Sequence, residues 1–140
     1  MSANTDSTDR QNASVTALPG VLLLNRALIA AIFLWHGIPK ALDAASAITK
    51  FQGFGLPGIL GPIVGWVEVI AGILVLAGVW HRWTSMVLLV IILGALVTVQ
   101  VPAGITAGLE RDLLIVVALL VFRLAGPGSF RMESPHEGGP

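Results

Sequence analysis

The sequence predicts an all-α integral membrane protein, a four-helix bundle with both termini on the same side. Three observations carry this. Hydrophobic residues make up 55% of the 140-residue chain and charged residues 11%, whereas a soluble domain sits near ~45–50% and ~25%. Four apolar runs approach the ~20 residues that cross a hydrocarbon core, a length that a soluble helical bundle has no reason to repeat. Segments rich in Gly, Pro and polar residues separate the runs. The length fits one domain.

Residues 1–18 are rich in Ser, Thr, Asn and Asp, with little to bury, and read as a disordered tail. They lack the basic opening and short apolar core of a signal peptide, so the first apolar run is expected to be retained. The transmembrane domain spans 19–128. Pro19 and Gly20 punctuate the entry to a first helix at about 21–42. This helix carries Arg26, His36 and Lys40 in an otherwise apolar stretch. At about 100° per residue, Arg26 and Lys40 fall within roughly 40° of each other and His36 about 40° further round, so the three share a face. Each such group costs roughly 2.5–3.5 kcal/mol near a bilayer centre, so that face must pack on protein. Pro39 frees the carbonyl of Trp35, which implies either a kink beside His36 or simply the helix end.

The connection 43–58 opens with a possible short amphipathic helix, with Ala47, Ile48 and Phe51 on one side. Its Phe, Gly and Pro residues suit an interfacial segment. A second helix follows at about 59–79. Gly61, Gly65, Glu68 and Gly72 fall within roughly 60° of arc on it, a small-residue stripe for close packing with a carboxylate in its middle. An intramembrane Glu is a functional candidate; the bland alternative is a structural partner for Arg26, His36 or Lys40. The turn Trp80-His81-Arg82-Trp83 suits the headgroup level, where His81 reads as an interface residue. A third helix at about 84–101, with Ser85, Thr98 and Gln100 as its main polar groups, reads as scaffold. A fourth, at about 109–126, opens with Glu110-Arg111-Asp112, where the acids suit the positive end of the helix dipole. Arg123 can snorkel. Gly126-Pro127-Gly128 ends this helix, and 129–140 is a polar tail.

Lys and Arg are split five to three between the two sides of this topology. Arg10, Arg26, Arg82, Arg123 and Arg131 lie on the side of the termini, against Lys40, Lys50 and Arg111. The bias places both termini in the cytoplasm. Zero net charge and no basic cluster argue against nucleic acid as a partner. The absence of cysteine removes thiol redox chemistry and Cys-ligated metal centres from this chain.

The run R-x9-HGxxK, the FQGFGLPG connection, VEVIAGILVLAGVWHRW and the final E-x-D-L-L…GPGSF together resemble the DoxX family of small four-helix membrane proteins, over about residues 21–130. The most specific pieces are His36-Gly37-x-x-Lys40 and Glu68 followed by Gly72 and Gly78. After Gly-Pro-Gly the family often has a Ser-Leu-Asp-like ending, whereas this chain reads Ser-Phe-Arg-Met-Glu. The resemblance implies a multi-pass protein of the bacterial inner membrane. It also implies a place in a membrane redox system, of the thiosulfate:quinone oxidoreductase or oxidative-stress type. By the same resemblance Arg26, His36, Lys40, Glu68 and Glu110 are the candidate ligand-binding or buried polar positions.

The expected function is a quinone-binding or partner-docking subunit. His36 and Lys40 would donate to quinone oxygens and Glu68 would shuttle protons, while a soluble or membrane oxidoreductase supplies the electrons. Beyond quinone no cofactor is evident, and His36, Glu68 and Glu110 lack a recognisable metal-binding spacing. The alternatives are an assembly scaffold with a buried ion-pair network and a small-solute transporter working as a homo-oligomer.

Overall fold

The computed structural model describes residues 3–104 and 107–128, with side chains for 18–102, 104 and 108–128. The polar tail expected at 129–140 lies outside the described residues. The elements are α1 (Ala3–Leu42), α2 (Ala44–Gly53), α3 (Leu60–Ala77), α4 (His81–Ala95), a π-helical turn (Leu96–Gln100), α5 (Val101–Ala103) and α6 (Ala107–Ala125). Among the described residues there is no strand.

Among the described residues, three segments are long and apolar enough to cross a membrane: Leu18–Leu42, Leu60–Ala77 and His81–Gln100. At 1.5 Å per residue they span roughly 27–37 Å, against a core of about 30 Å. The fourth long helix, α6, carries Glu110, Arg111 and Asp112 near its start and Arg123 near its end. Side chains turn the usual soluble pattern inside out. Leu24, Leu28, Trp35, Ile63, Trp66, Ile70, Val90, Leu114 and Leu124 are exposed, whereas Arg26, Glu68 and Asp112 are buried. A bilayer is the solvent that suits such a surface. The chain is a helical, multi-pass membrane protein.

The long helices alternate in direction. Gly37 of α1 lies against Glu68 and Gly65 of α3, while Arg26, about three turns earlier on α1, meets the far end of α3. On the other side, Gln100 meets Gly108, and His81 stacks edge-on against Phe122, so α4 and α6 are antiparallel too. Ile29, Phe33, Ala71, Val75, Leu88, Ile92, Ile115, Leu119 and Phe122 from the four long helices form one core.

The α1–α3 contact is built on glycine. A Cβ at Gly65 would lie 2.6 Å from the Lys40 Cβ and 2.7 Å from the Ala41 backbone nitrogen. One at Gly37 would lie 2.8 Å from the Glu68 Cβ and 2.9 Å from the Gly65 carbonyl oxygen. The small-residue stripe read from the sequence therefore faces α1, and Gly61, Gly65, Glu68 and Gly72 are all buried. Where lipid replaces water, this close van der Waals approach takes over from hydrophobic burial as the force that pairs helices.

Two sequence expectations are corrected. First, the chain is helical from Ala3 and runs through Pro19, where a disordered tail and a helix start near residue 21 are predicted. Extending a helix that already exists adds a backbone bond per residue without the nucleation penalty, and an internal proline removes one such bond. Second, the third span is not a regular helix to 101. Pro102 has no N–H to offer, and the Val101 N–H bonds back to the Leu96 carbonyl, five residues earlier. Pro39 lies inside α1, three residues before its end at Leu42. As expected, the 43–58 connection opens with a short helix. Asp43 caps it through the Ser46 N–H at 3.0 Å, and Ala47 is buried against Gly61.

Gly65→Ala should lower the thermal unfolding midpoint in detergent, because backbone sits where the methyl would go; overpacking of this kind costs about 1–3 kcal/mol. Gly94→Ala, whose Cβ would meet nothing within 4 Å, should not lower it. Equal behaviour of the two variants would refute glycine-mediated packing of α1 on α3.

Candidate functional site

Lys40 and Glu68 form the polar centre of the bundle. The Lys40 ammonium donates to both Glu68 carboxylate oxygens at 2.7 Å. The pair is lopsided: the Lys40 side chain keeps 29% of its exposure and that of Glu68 only 5%. The local sequence explains the contact. Lys40 ends the apolar face of α1 one turn after His36, and the glycine stripe brings α3 close enough for a side chain from its middle to meet it. An ammonium has three donors and the carboxylate engages two, which leaves one for another oxygen.

The pair borders a cavity of about 110 Å³. His36 and Lys40 line it from α1, Glu68 from α3, Gln100 from the π turn, and Arg111 and Asp112 from α6; Phe33, Ile91, Ile92 and Ile115 supply apolar wall. Asp112 is buried and accepts from Arg111 Nε at 3.0 Å, while Arg111 remains half exposed. Two ion pairs therefore face one small space, with the His36 imidazole among them. By volume the cavity holds about four waters or the edge of a ring; an apolar cavity of about 150 Å³ holds benzene.

Arg26 does not join this site. It shares a helical face with Lys40, but the 14 residues between them put roughly 21 Å along the axis. It lies instead at the other end of the bundle, where the Gly78 cap ends α3. Arg26 Nε donates to the Val75 carbonyl at 3.2 Å, one terminal nitrogen to Pro127 O at 2.8 Å, and the other to Leu76 O. Gly78 (φ +71°) is the left-handed cap of α3, and its missing Cβ leaves room for the guanidinium about 3.0 Å away. A planar, five-donor cation suits a cluster of carbonyl oxygens at helix ends. Arg26 thus clamps α1, α3 and the chain after α6 together.

Glu110 is exposed in the first turn of α6 and does not line the cavity. The buried acid there is Asp112, two residues on, for which the sequence suggests only capping. Gln100, read as scaffold, also belongs to the cavity wall. Its signal in the sequence is a lone amide two residues before Pro102, at a helix end where the backbone must rearrange. Among the described residues, no three His, Asp or Glu side chains converge closely enough to hold a metal.

Lys40→Met should destabilise the fold strongly, because it strands a buried carboxylate; breaking one side of such a pair costs about 3–5 kcal/mol. Lys40→Met with Glu68→Gln should recover most of that loss, giving a coupling of about 1–3 kcal/mol in a double-mutant cycle of thermal or denaturant stability. Additive losses would mean that the pair does not hold in the folded protein.

A model of the DoxX family matches residues 21–101, which include Arg26, His36, Lys40 and Glu68 and end before Arg111. The chain is also similar to a Bacillus subtilis (strain 168) protein named "Putative oxidoreductase CatD". The two are 30% identical over 107 residues, which cover 76% of this chain and 79% of that protein. No solved structure matches.

Proposed function

This chain belongs to the DoxX family, and from that premise we propose that it is the membrane subunit of a redox system, binding a quinone at the Lys40–Glu68 cavity. The observation that carries this reading is a pair of charges set against a small apolar-walled space inside a membrane bundle. An intramembrane ion pair with one donor to spare is expensive to keep unless it serves a ligand or the fold. The name of the Bacillus subtilis relative, which includes the word oxidoreductase, supports the redox setting.

The residues fit such a ligand. The third Lys40 hydrogen is available to a ring carbonyl oxygen while Glu68 holds the ammonium in place. His36, about 6 Å along α1, offers a ring nitrogen to a second ring oxygen. Phe33, Ile91, Ile92 and Ile115 supply the cavity's apolar wall. A bound quinone would supply two-electron, two-proton chemistry, with electrons arriving from an oxidoreductase partner. The membrane in this reading is the bacterial inner membrane, with both termini cytoplasmic.

A second reading has one observation in its favour. The Lys40–Glu68 bonds and the Arg26 clamp all tie α1 to α3, so the buried charges also suit a scaffold that docks a partner enzyme.

Tryptophan-quenching titration with decylubiquinone separates the two. Wild-type protein should bind one equivalent saturably. The folded Lys40→Met/Glu68→Gln variant should bind about ten-fold more weakly or worse, as expected for loss of one charged hydrogen bond. Arg26→Met, at the other end, should lower the unfolding midpoint and leave the Kd unchanged. No saturable binding by the wild type, or equal binding by the double variant, would favour the scaffold.

A further inference from the structure

Outside the bundle core lies a second, larger hollow. It is a groove of about 460 Å³ between the end of α1 and the short helix α2. Trp35, Pro39 and Leu42 line it from α1, Ser46, Lys50 and Phe51 from α2, and Phe54 from just beyond the end of α2. Phe51 and Phe54 stand edge to face, 6.4 Å apart between ring centres. His36 and Lys40 line both the groove and the inner cavity, so the two spaces meet at these side chains.

We propose that this groove is the membrane-side entrance to the inner cavity for an amphiphilic ring compound, with His36 and Lys40 as its threshold. The proposal rests on the quinone reading above and adds the route by which such a ligand arrives. Three observations support it. The first is volume: at about 460 Å³ the groove is roughly four times as large as the inner cavity and has room for a substituted ring on its way in. The second is asymmetry: Glu68 is closed off and Lys40 is not, so a ligand arriving through the groove meets the ammonium first. The third is position. α2 is amphipathic, follows a span directly and carries aromatic rings with a terminal lysine, as expected of a segment at the headgroup level. Amphiphilic rings collect at that level. In transit the polar edge of the ring would lead between His36 and Lys40, with its apolar part sliding past Trp35, Phe51 and Phe54.

An entrance differs kinetically from a binding determinant. Narrowing an entrance slows association and dissociation by the same factor and leaves affinity unchanged; damage to the site changes affinity. Ser46 lines the groove and is not among the residues that line the inner cavity. Stopped-flow quenching with decylubiquinone on Ser46→Phe should show both rate constants lowered by about ten-fold at constant Kd, which corresponds to ~1.4 kcal/mol on the barrier. Phe54→Ala, which widens the mouth, should raise both, again at constant Kd. Wild-type binding with both variants kinetically unchanged would overturn the entrance and leave the quinone reading intact. Variants that alter Kd while association is unchanged would make the groove part of the site itself and also overturn the proposal. Absence of wild-type binding would overturn both readings.

Discussion

A lysine and a glutamate held 2.7 Å apart inside an apolar bundle set the terms for the rest of this structure. Neither charge is tolerable alone at that depth, and a 2.7 Å contact requires the backbones of α1 and α3 to come close. Glycine at 37 and 65 permits that approach, and the amphipathic α2 packs its Ala47 onto Gly61 at the same end. The bundle is therefore tightest where it is most polar. At the opposite end, Arg26 gathers carbonyl groups from the end of α3 and from Pro127, which fixes the same two helices a second time. Two polar clamps about 21 Å apart along α1 leave the core between them to aliphatic and aromatic packing.

This arrangement connects stability to function. A cavity bordered by ion pairs survives in a membrane only if the surrounding helices cannot relax to fill it, and the clamps supply that rigidity. The π turn at Leu96–Gln100 adds a complementary feature: by widening the backbone it presents Val99 and Gln100 to the cavity. Such turns recur where a helix gives up regularity for a local purpose. The lipid-facing surface, in contrast, is uniformly apolar and carries tryptophans at positions 35, 66, 80 and 83.

Much of this was legible in the sequence. Composition and run length suffice for the fold class. The Gly61/Gly65/Glu68/Gly72 spacing identifies the face of α3 that meets α1, because helical periodicity maps spacing directly onto direction. What periodicity does not encode is depth. Arg26 and Lys40 point the same way, and only the rise per residue separates them into two sites. Glu110 and Asp112 are two residues apart and so point to different sides of α6; which side faces inward depends on how α6 docks, which local pattern does not fix. Gln100, a polar group of a span that reads as scaffold, lies in the π turn before Pro102, and helical periodicity does not foretell where such a turn puts a side chain. The helical stretch from Ala3 to Ala17 was missed because composition reports what a segment can bury, and a helix continued from a neighbour needs nothing to bury.

The most direct measurement is native mass spectrometry of the protein released from its own membrane in a mild detergent. If the Lys40–Glu68 cavity serves a ligand, the spectrum should show one quinone per chain, and collisional activation should release it before the protein unfolds. A folded, homogeneous protein that carries only phospholipid, or only a second protein, would contradict the account and leave the ion pair as a fastener of the fold.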